Sequence, residues 1–399
     1  METLLEYQQA LVQEIRQDFY RFLYHKLPWK SRMLAIRGLR GAGKTTMLLQ
    51  HLKFGQPEGI KSLYITADHP WLYTHTLLDT AKIWVQNGGT ALYIDEVHKY
   101  PNWSRELKNI YDGFPKLNVY FTASSALDIY RGESDLSRRV LTFTLPGMSF
   151  REYLNLTHNK SLPTVSLEQI LSDPTQTAAS IMEQIETPLP LFRDYLHRGY
   201  LPFTHGEEGN HYLARLLHVI DASISTDLAF IQNYSSTHAV KIKKLMGVIA
   251  ESAPFEPNIS ALAQKLQLSR DTVNNFLHHL ERACLLNLVN RRTEGVAALQ
   301  KPDKIYLENT NLSFALRENP DSGTIRETVF LNQLRHAGYP VKLADKGDFL
   351  VNDMYIFEIG GRSKSTKQIA GLPNAYIVAD DIELGFANKL PLWLFGFLY

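Results

Sequence analysis

The octapeptide Gly38-Leu39-Arg40-Gly41-Ala42-Gly43-Lys44-Thr45 lies directly behind the apolar run 33–36 and ahead of a stretch with helical spacing. A G-x-x-x-x-G-K-[ST] pattern in that setting demands a strand, a tight glycine turn and a helix in succession. Glycine lets the backbone curl until its N–H groups point into one concavity, and the following helix adds the positive end of its dipole. Phosphate oxygens fit such a concavity. Gly38, Gly41 and Gly43 shape the turn, Lys44 reaches the β and γ phosphates of a nucleotide, Thr45 offers its hydroxyl to magnesium, and Thr46 helps hold the helix start.

A second run, Ala91-Leu92-Tyr93-Ile94, has the character of a buried strand and ends in Asp95-Glu96. Asp95 is expected to bind magnesium through water. Glu96, one residue past the strand, is placed to polarise the water that attacks the γ phosphate, as a general base or as an orienting acceptor. The alternative is an acidic turn closing an ordinary strand. The next run ends Thr122-Ala123-Ser124-Ser125, where Thr122 or Ser124 senses the γ phosphate or the hydroxyls cap a following helix. Arg138 and Arg139 either supply a guanidinium to the transition state, in their own or a neighbouring subunit, or are simply solvated. These residues define an ATPase that uses ATP and Mg²⁺.

Short apolar runs at 32–37, 62–66, 91–95, 117–122 and 141–144 alternate with helical stretches at 45–52, 71–85 and 103–111. That alternation predicts an α/β fold with a parallel sheet and helical crossovers. A chain of 399 residues exceeds what one core organises, so several domains are expected. They are a P-loop core with an N-terminal helix over 1–155, a helical lid or connector over 156–237 broken at the proline-rich segment 186–192, a helical unit over 238–300, and an α/β unit over 301–399. A net charge of +1 gives no global attraction to nucleic acid or an anionic membrane, so any such contact is local. Cys284 is the only cysteine, which excludes an internal disulfide framework and a multi-cysteine zinc site. The amphipathic stretch 1–20 lacks a signal-peptide core, and no apolar run approaches the roughly 20 residues that span a bilayer. A cytoplasmic protein without membrane contact is the expectation. Histidines show no metal-ligand spacing, so His98, His197, His278 and His279 read as surface or packing residues.

The segments RGLRGAGKTT, ALYIDEVHKYPNWSRELKNIYD, VYFTASS, LSRRV and MSFREYL, continued by LHRGYLPF, NISALAQKLQLSRDTVNNFLHHLERACLL and KPDKIYLENTNL, resemble prokaryotic AAA+-like P-loop ATPases with a C-terminal domain of uncertain function. The resemblance implies an ATPase core, a helical section, a winged-helix unit and a terminal unit similar to the PD-(D/E)xK nuclease fold. Ala123 departs from the glycine usual in that family.

The residues support parts of this reading directly. Ser260 can cap a helix with Leu262, Ala263 and Leu266 inward, and Ser269 a second with Val273, Phe276, Leu277 and Leu280 inward. The second would present Arg270, Asn274, Asn275 and His278, with Arg291 and Arg292 on a wing, to DNA or to a protein partner. In the last region Glu327, Asp348 and Glu358 follow a nuclease-like acidic order, and Asp348 with Glu358 form a tentative second magnesium site. Two residues past Glu358, where such enzymes carry lysine, stands Gly360, and Lys364 or Lys367 would have to substitute. The favoured reading is a nuclease-like fold kept for binding or architecture. The functional expectation is ATP hydrolysis coupled to a C-terminal module, in a possible homo-oligomer. An ATP-regulated DNA- or protein-binding switch and an ATP-controlled nuclease are the alternatives.

Overall fold

The computed structural model describes residues 1–126, 136, 138–206, 211–228, 234–252, 254, 256–291 and 301–399. It divides into two compact units, Met1–Pro146 and Gly147–Tyr399.

The first unit is built on a parallel sheet in the order β2-β3-β4-β1-β5. Its strands are β1 (Met33–Gly38), β2 (Ser62–Thr66), β3 (Ala91–Asp95), β4 (Asn118–Ser124) and β5 (Leu141–Thr144). The three middle strands are almost wholly buried, which is why they read as continuous apolar runs with no polar alternation. Helices α1 (Glu2–Gln13), α2 (Lys44–Gln50), α3 (Leu77–Gln86) and α4 (Trp103–Gly113) complete it, with α2 packed on β1 and β4. Two helices are shorter than the spacing predicts. The stretch 71–85 breaks into a 3₁₀ turn, Pro70–Tyr73, and α3, because the Thr76 hydroxyl accepts the Asp79 N–H at 2.9 Å and starts a new helix there. The amphipathic pattern to residue 20 yields a helix only as far as Gln13. Since all five strands run the same way, the chain leaves β1, β3 and β4 at one end of the sheet, where α/β folds place their ligands.

In the second unit, helices Phe150–Thr157, Leu167–Ser172, Pro174–Met182, Pro188–Arg198, His211–Ala222 and Ser236–Ser252 come first. The proline-rich break ends where Pro188 enters a first helical turn, where its missing N–H has no partner to lose. Helices Ile259–Leu266 and Arg270–Arg282 follow, then an antiparallel pair β6 (Leu286–Val289) and β7 (Lys304–Leu307). Asn258, not Ser260, caps the first of these helices, taking the Ala261 N–H at 3.1 Å; Ser269 caps the second as expected. Helices Thr310–Leu316 and Ser322–His336 lead into a second sheet, β12-β11-β10-β9-β8. Here β8 (Val341–Leu343), β9 (Phe349–Val351) and β10 (Tyr355–Gly360) form an antiparallel meander, while β11 (Ala375–Ala379) and β12 (Lys389–Pro391) run parallel to β10.

A buried polar network ties this unit together. Asn311 accepts the Tyr200 N–H at 2.8 Å and the Tyr212 hydroxyl at 2.6 Å, and donates to the Leu196 carbonyl at 2.8 Å. Glu308, 2% exposed, accepts from the Tyr200 hydroxyl, Asn332 Nδ2 and His336 Nε2. Among the described residues no helix is long and apolar enough to cross a membrane.

Candidate nucleotide site

Between β1 and α2 the loop 38–43 turns through Gly41 and Gly43, whose φ values of 80° and 96° lie in the left-handed region that favours glycine. Gly38 is needed for a different reason: a Cβ there would stand 2.4 Å from the Leu145 carbonyl oxygen. Lys44 is 7% exposed, and its ammonium donates to the Gly38 and Leu39 carbonyls at 2.8 and 3.0 Å. Thr45 and Thr46 occupy the first turn of α2 and are exposed. From behind, the guanidinium of buried Arg21 donates to the Ala42 carbonyl through Nη1 and to the Pro146 carbonyl through Nη2 at 2.8 Å, clamping the loop.

Asp95 ends β3 and is the hub of the site. Its Oδ2 accepts from the Thr45 hydroxyl at 2.7 Å and from the Tyr64 hydroxyl at 3.0 Å, and its Oδ1 from the Thr122 hydroxyl. Burial, and after it the charge of Asp95, pushes the Tyr64 phenol far above its ordinary pKa, so it stays a donor. Thr122 is itself shared, since its oxygen accepts the Glu96 N–H at 2.8 Å. Glu96 sits at φ 51°, a left-handed conformation that costs a non-glycine residue about 1–3 kcal/mol and turns the chain sharply out of β3. Its carboxylate pairs with Lys99, whose ammonium also pairs with Asp68 at 2.6 Å. Burial pulls the Lys99 pKa down, but hydrogen bonds to Asp68 and Glu96 outweigh it and hold the group above its ordinary value.

The structure therefore brings Lys44, Thr45, Asp95, Thr122 and Glu96 to one end of the sheet. Ser124 is buried and donates its N–H to His98 Nδ1 at 3.2 Å, which makes His98 a packing residue. The segment that would form a capped helix after it, 127–135, lies outside the described residues. Arg138 and Arg139 are not at this site. Arg139 precedes β5, at the opposite end of the sheet, and forms a two-point pair with Asp112 at 2.9 and 3.0 Å. Tyr64, Asp68, Lys99 and Arg21 are the residues that motif reading misses. Tyr64, Asp68 and Arg21 reach the site across the fold, while Lys99 lies three residues past Glu96 on the turn that leaves β3.

In the second unit Glu327, Asp348 and Glu358 stand on the helix Ser322–His336, immediately before β9, and on β10. Asp348 Oδ2 accepts the Ile359 N–H at 2.7 Å, and Glu358, 2% exposed, pairs with the Lys364 ammonium. A Cβ on Gly360 would lie 2.6 Å from the Lys364 stem, so the glycine is what lets that lysine fold back over the strand. Burial raises the Glu358 and Glu327 carboxyls above their ordinary range. Among the described residues no group of three or more His, Cys, Asp or Glu is arranged to hold a metal ion. Of the helix-pair candidates, Arg270 and Asn275 are exposed, Asn274 and His278 half-buried, and Arg291 is tied to the Ala344 carbonyl at 2.9 Å; Arg292 lies outside the described residues.

A family model described as an AAA domain matches residues 30–154, the region that holds the candidate site. A second, described as a domain of unknown function (DUF8612), matches residues 189–322. The chain is similar to the uncharacterized protein MJ1637 of Methanocaldococcus jannaschii, at 26% identity over 369 residues, 85% of this chain and 78% of that protein. Solved structures found similar include AMPPCP-bound DnaA from Aquifex aeolicus, at 16% identity and TM-score 0.25 over 70% of this chain and 88% of that one. The S. cerevisiae Hsp104-ADP complex is another, at 14% identity and TM-score 0.32 over 69% and 41%.

Proposed function

We propose that the first unit binds ATP with magnesium and hydrolyses it by in-line attack of water. The observation that carries this reading is the convergence of the P-loop with Asp95, Thr122 and Glu96 at one end of the sheet. Loop N–H groups and the start of α2 would cradle the phosphates, and the Lys44 ammonium would exchange its two loop carbonyls for phosphate oxygens. Thr45 Oγ1 and Asp95 Oδ2, 2.7 Å apart, form the hard-oxygen pair that suits magnesium, with Asp95 acting through water. When bound, the ion neutralises charge on the β and γ phosphates. Tyr64 and Thr122 hold the Asp95 carboxylate in place, and Thr122 also fixes the backbone of Glu96. Glu96, released from Lys99, would accept the proton of the attacking water or orient it.

A role for Arg138 or Arg139 in the transition state requires a second copy of the chain, because Arg139 lies at the far end of the sheet from its own P-loop. The second unit is read as a module driven by hydrolysis, docking DNA or protein through the exposed face of Arg270–Arg282. Its terminal sheet is read as a nuclease-like fold that binds without cutting, since Asp348 and Glu358, the tentative second magnesium pair, already spend oxygens on Ile359 N–H and Lys364. Magnesium-dependent phosphate release by the purified chain tests the ATPase reading; its absence contradicts it.

A further inference from the structure

At the opposite end of the first sheet from the P-loop lies a cavity of about 460 Å³. Its walls are aromatic. Trp29 stacks on His51 with ring centroids 3.8 Å apart, Tyr120 meets Trp29 edge-on at 5.7 Å, and Tyr24 adds a fourth ring. Lys30 and Asn118 are on the polar side of the lining, and among the described residues no aspartate or glutamate lines it. Walls of this kind favour a flat ligand that stacks on them or meets them edge-on. The charge balance favours an anion over a cation.

Hydrogen bonding fixes what the cavity presents. Gln56 Nε2 donates to the Tyr93 hydroxyl oxygen, which leaves the Tyr93 O–H to donate to His51 Nδ1 at 2.8 Å. An imidazole that accepts at Nδ1 carries its proton at Nε2. Burial lowers the His51 pKa to about 4, so this neutral form is the one present at neutral pH. His51 is 3% exposed, and among the described residues its Nε2–H has no hydrogen-bond acceptor, nor does the Tyr24 hydroxyl have a partner. Both residues line the cavity and neither polar atom is sealed from solvent, so an acceptor on a ligand can reach them. The backbone is shaped around both groups. A Cβ on Gly55 would stand 2.4 Å from His51 Cδ2 and 2.7 Å from the Tyr24 oxygen. The turn that carries His51 and Gly55, residues His51–Gly55, is π-helical, a form that recurs at functional sites.

We propose that this cavity binds a small aromatic carboxylate, its ring against Trp29 and Tyr120 and its carboxylate accepting from His51 Nε2–H and the Lys30 ammonium. The site is separate from the nucleotide site and does not depend on the ATPase reading. Isothermal titration of the full chain with indole-3-carboxylate, beside its neutral parent indole, tests it. The expected result is one carboxylate site per chain, with indole at least tenfold weaker. Lys30→Ala, at an exposed position, should weaken the carboxylate at least tenfold with an unchanged thermal unfolding curve. His51→Phe, which keeps the stacked ring and removes the donor, should do the same. If that variant fails to fold, Lys30→Ala carries the test alone. No carboxylate binding to the wild-type chain, equal affinity for indole, or wild-type affinity in Lys30→Ala each overturns the proposal.

Discussion

In the proposed mechanism Lys99 and the attacking water compete for the Glu96 carboxylate, and the ion pair seen here would set how fast the site turns over. The Lys99 ammonium is held between Asp68 and Glu96, so weakening one anchor shifts it toward the other. Lys99→Met should free the Glu96 carboxylate and raise kcat several-fold, with the KM for ATP unchanged. Asp68→Asn should leave Lys99 wholly on Glu96 and lower kcat by a similar factor. Steady-state kinetics of the two variants side by side read this directly, and changes in the same direction would show that the pair does not gate the carboxylate. None of this was legible in the sequence. Gly38 to Thr45 and Asp95-Glu96 announce themselves because phosphate and magnesium binding need fixed local spacing, whereas Asp68 and Lys99 meet only through the β2–β3 pairing. Arg21 and Tyr64 were hidden for the same reason.

The three middle parallel strands were legible to within two residues because strands buried on both faces must be apolar throughout. Helix starts were less so. Apolar spacing runs on across Thr76, and only the capping box formed with Asp79 ends one element and begins another. At the terminal sheet the sequence shows glycine where a nuclease strand would carry lysine, and reads as a loss. The structure shows the lysine arriving from the following turn, since Gly360 leaves room for the Lys364 stem. The two carboxylates nevertheless remain engaged within the fold. Incubation of single- and double-stranded DNA with the protein and Mg²⁺ or Mn²⁺ should therefore leave the DNA intact. Cutting that disappears in Asp348→Ala would contradict this and make the chain an ATP-controlled nuclease.

Each unit has its own core, and the second depends on a polar one. Asn311, 1% exposed, serves Tyr200, Tyr212 and Leu196 at once, so Asn311→Ala leaves several buried groups unpaired. A loss of about 2–4 kcal/mol is expected in chemical denaturation, with nucleotide affinity of the folded protein retained. A loss under about 0.5 kcal/mol would mean that the network is not structural. Assembly is a separate matter. If Arg138 or Arg139 completes the site of a neighbouring copy, turnover per chain rises with protein concentration, and a chain that is monomeric by light scattering with ATP bound yet hydrolyses efficiently excludes that role. Central to the whole account is that Lys44 binds phosphate while Glu96 handles water, and one paired measurement separates the two. Equilibrium ATP binding and phosphate release are followed for the wild-type chain, Lys44→Ala and Glu96→Gln. Lys44→Ala should lose at least tenfold in affinity, and Glu96→Gln should bind ATP as the wild type does while its turnover falls by about 10²–10⁴-fold. Wild-type turnover in Glu96→Gln would contradict the account.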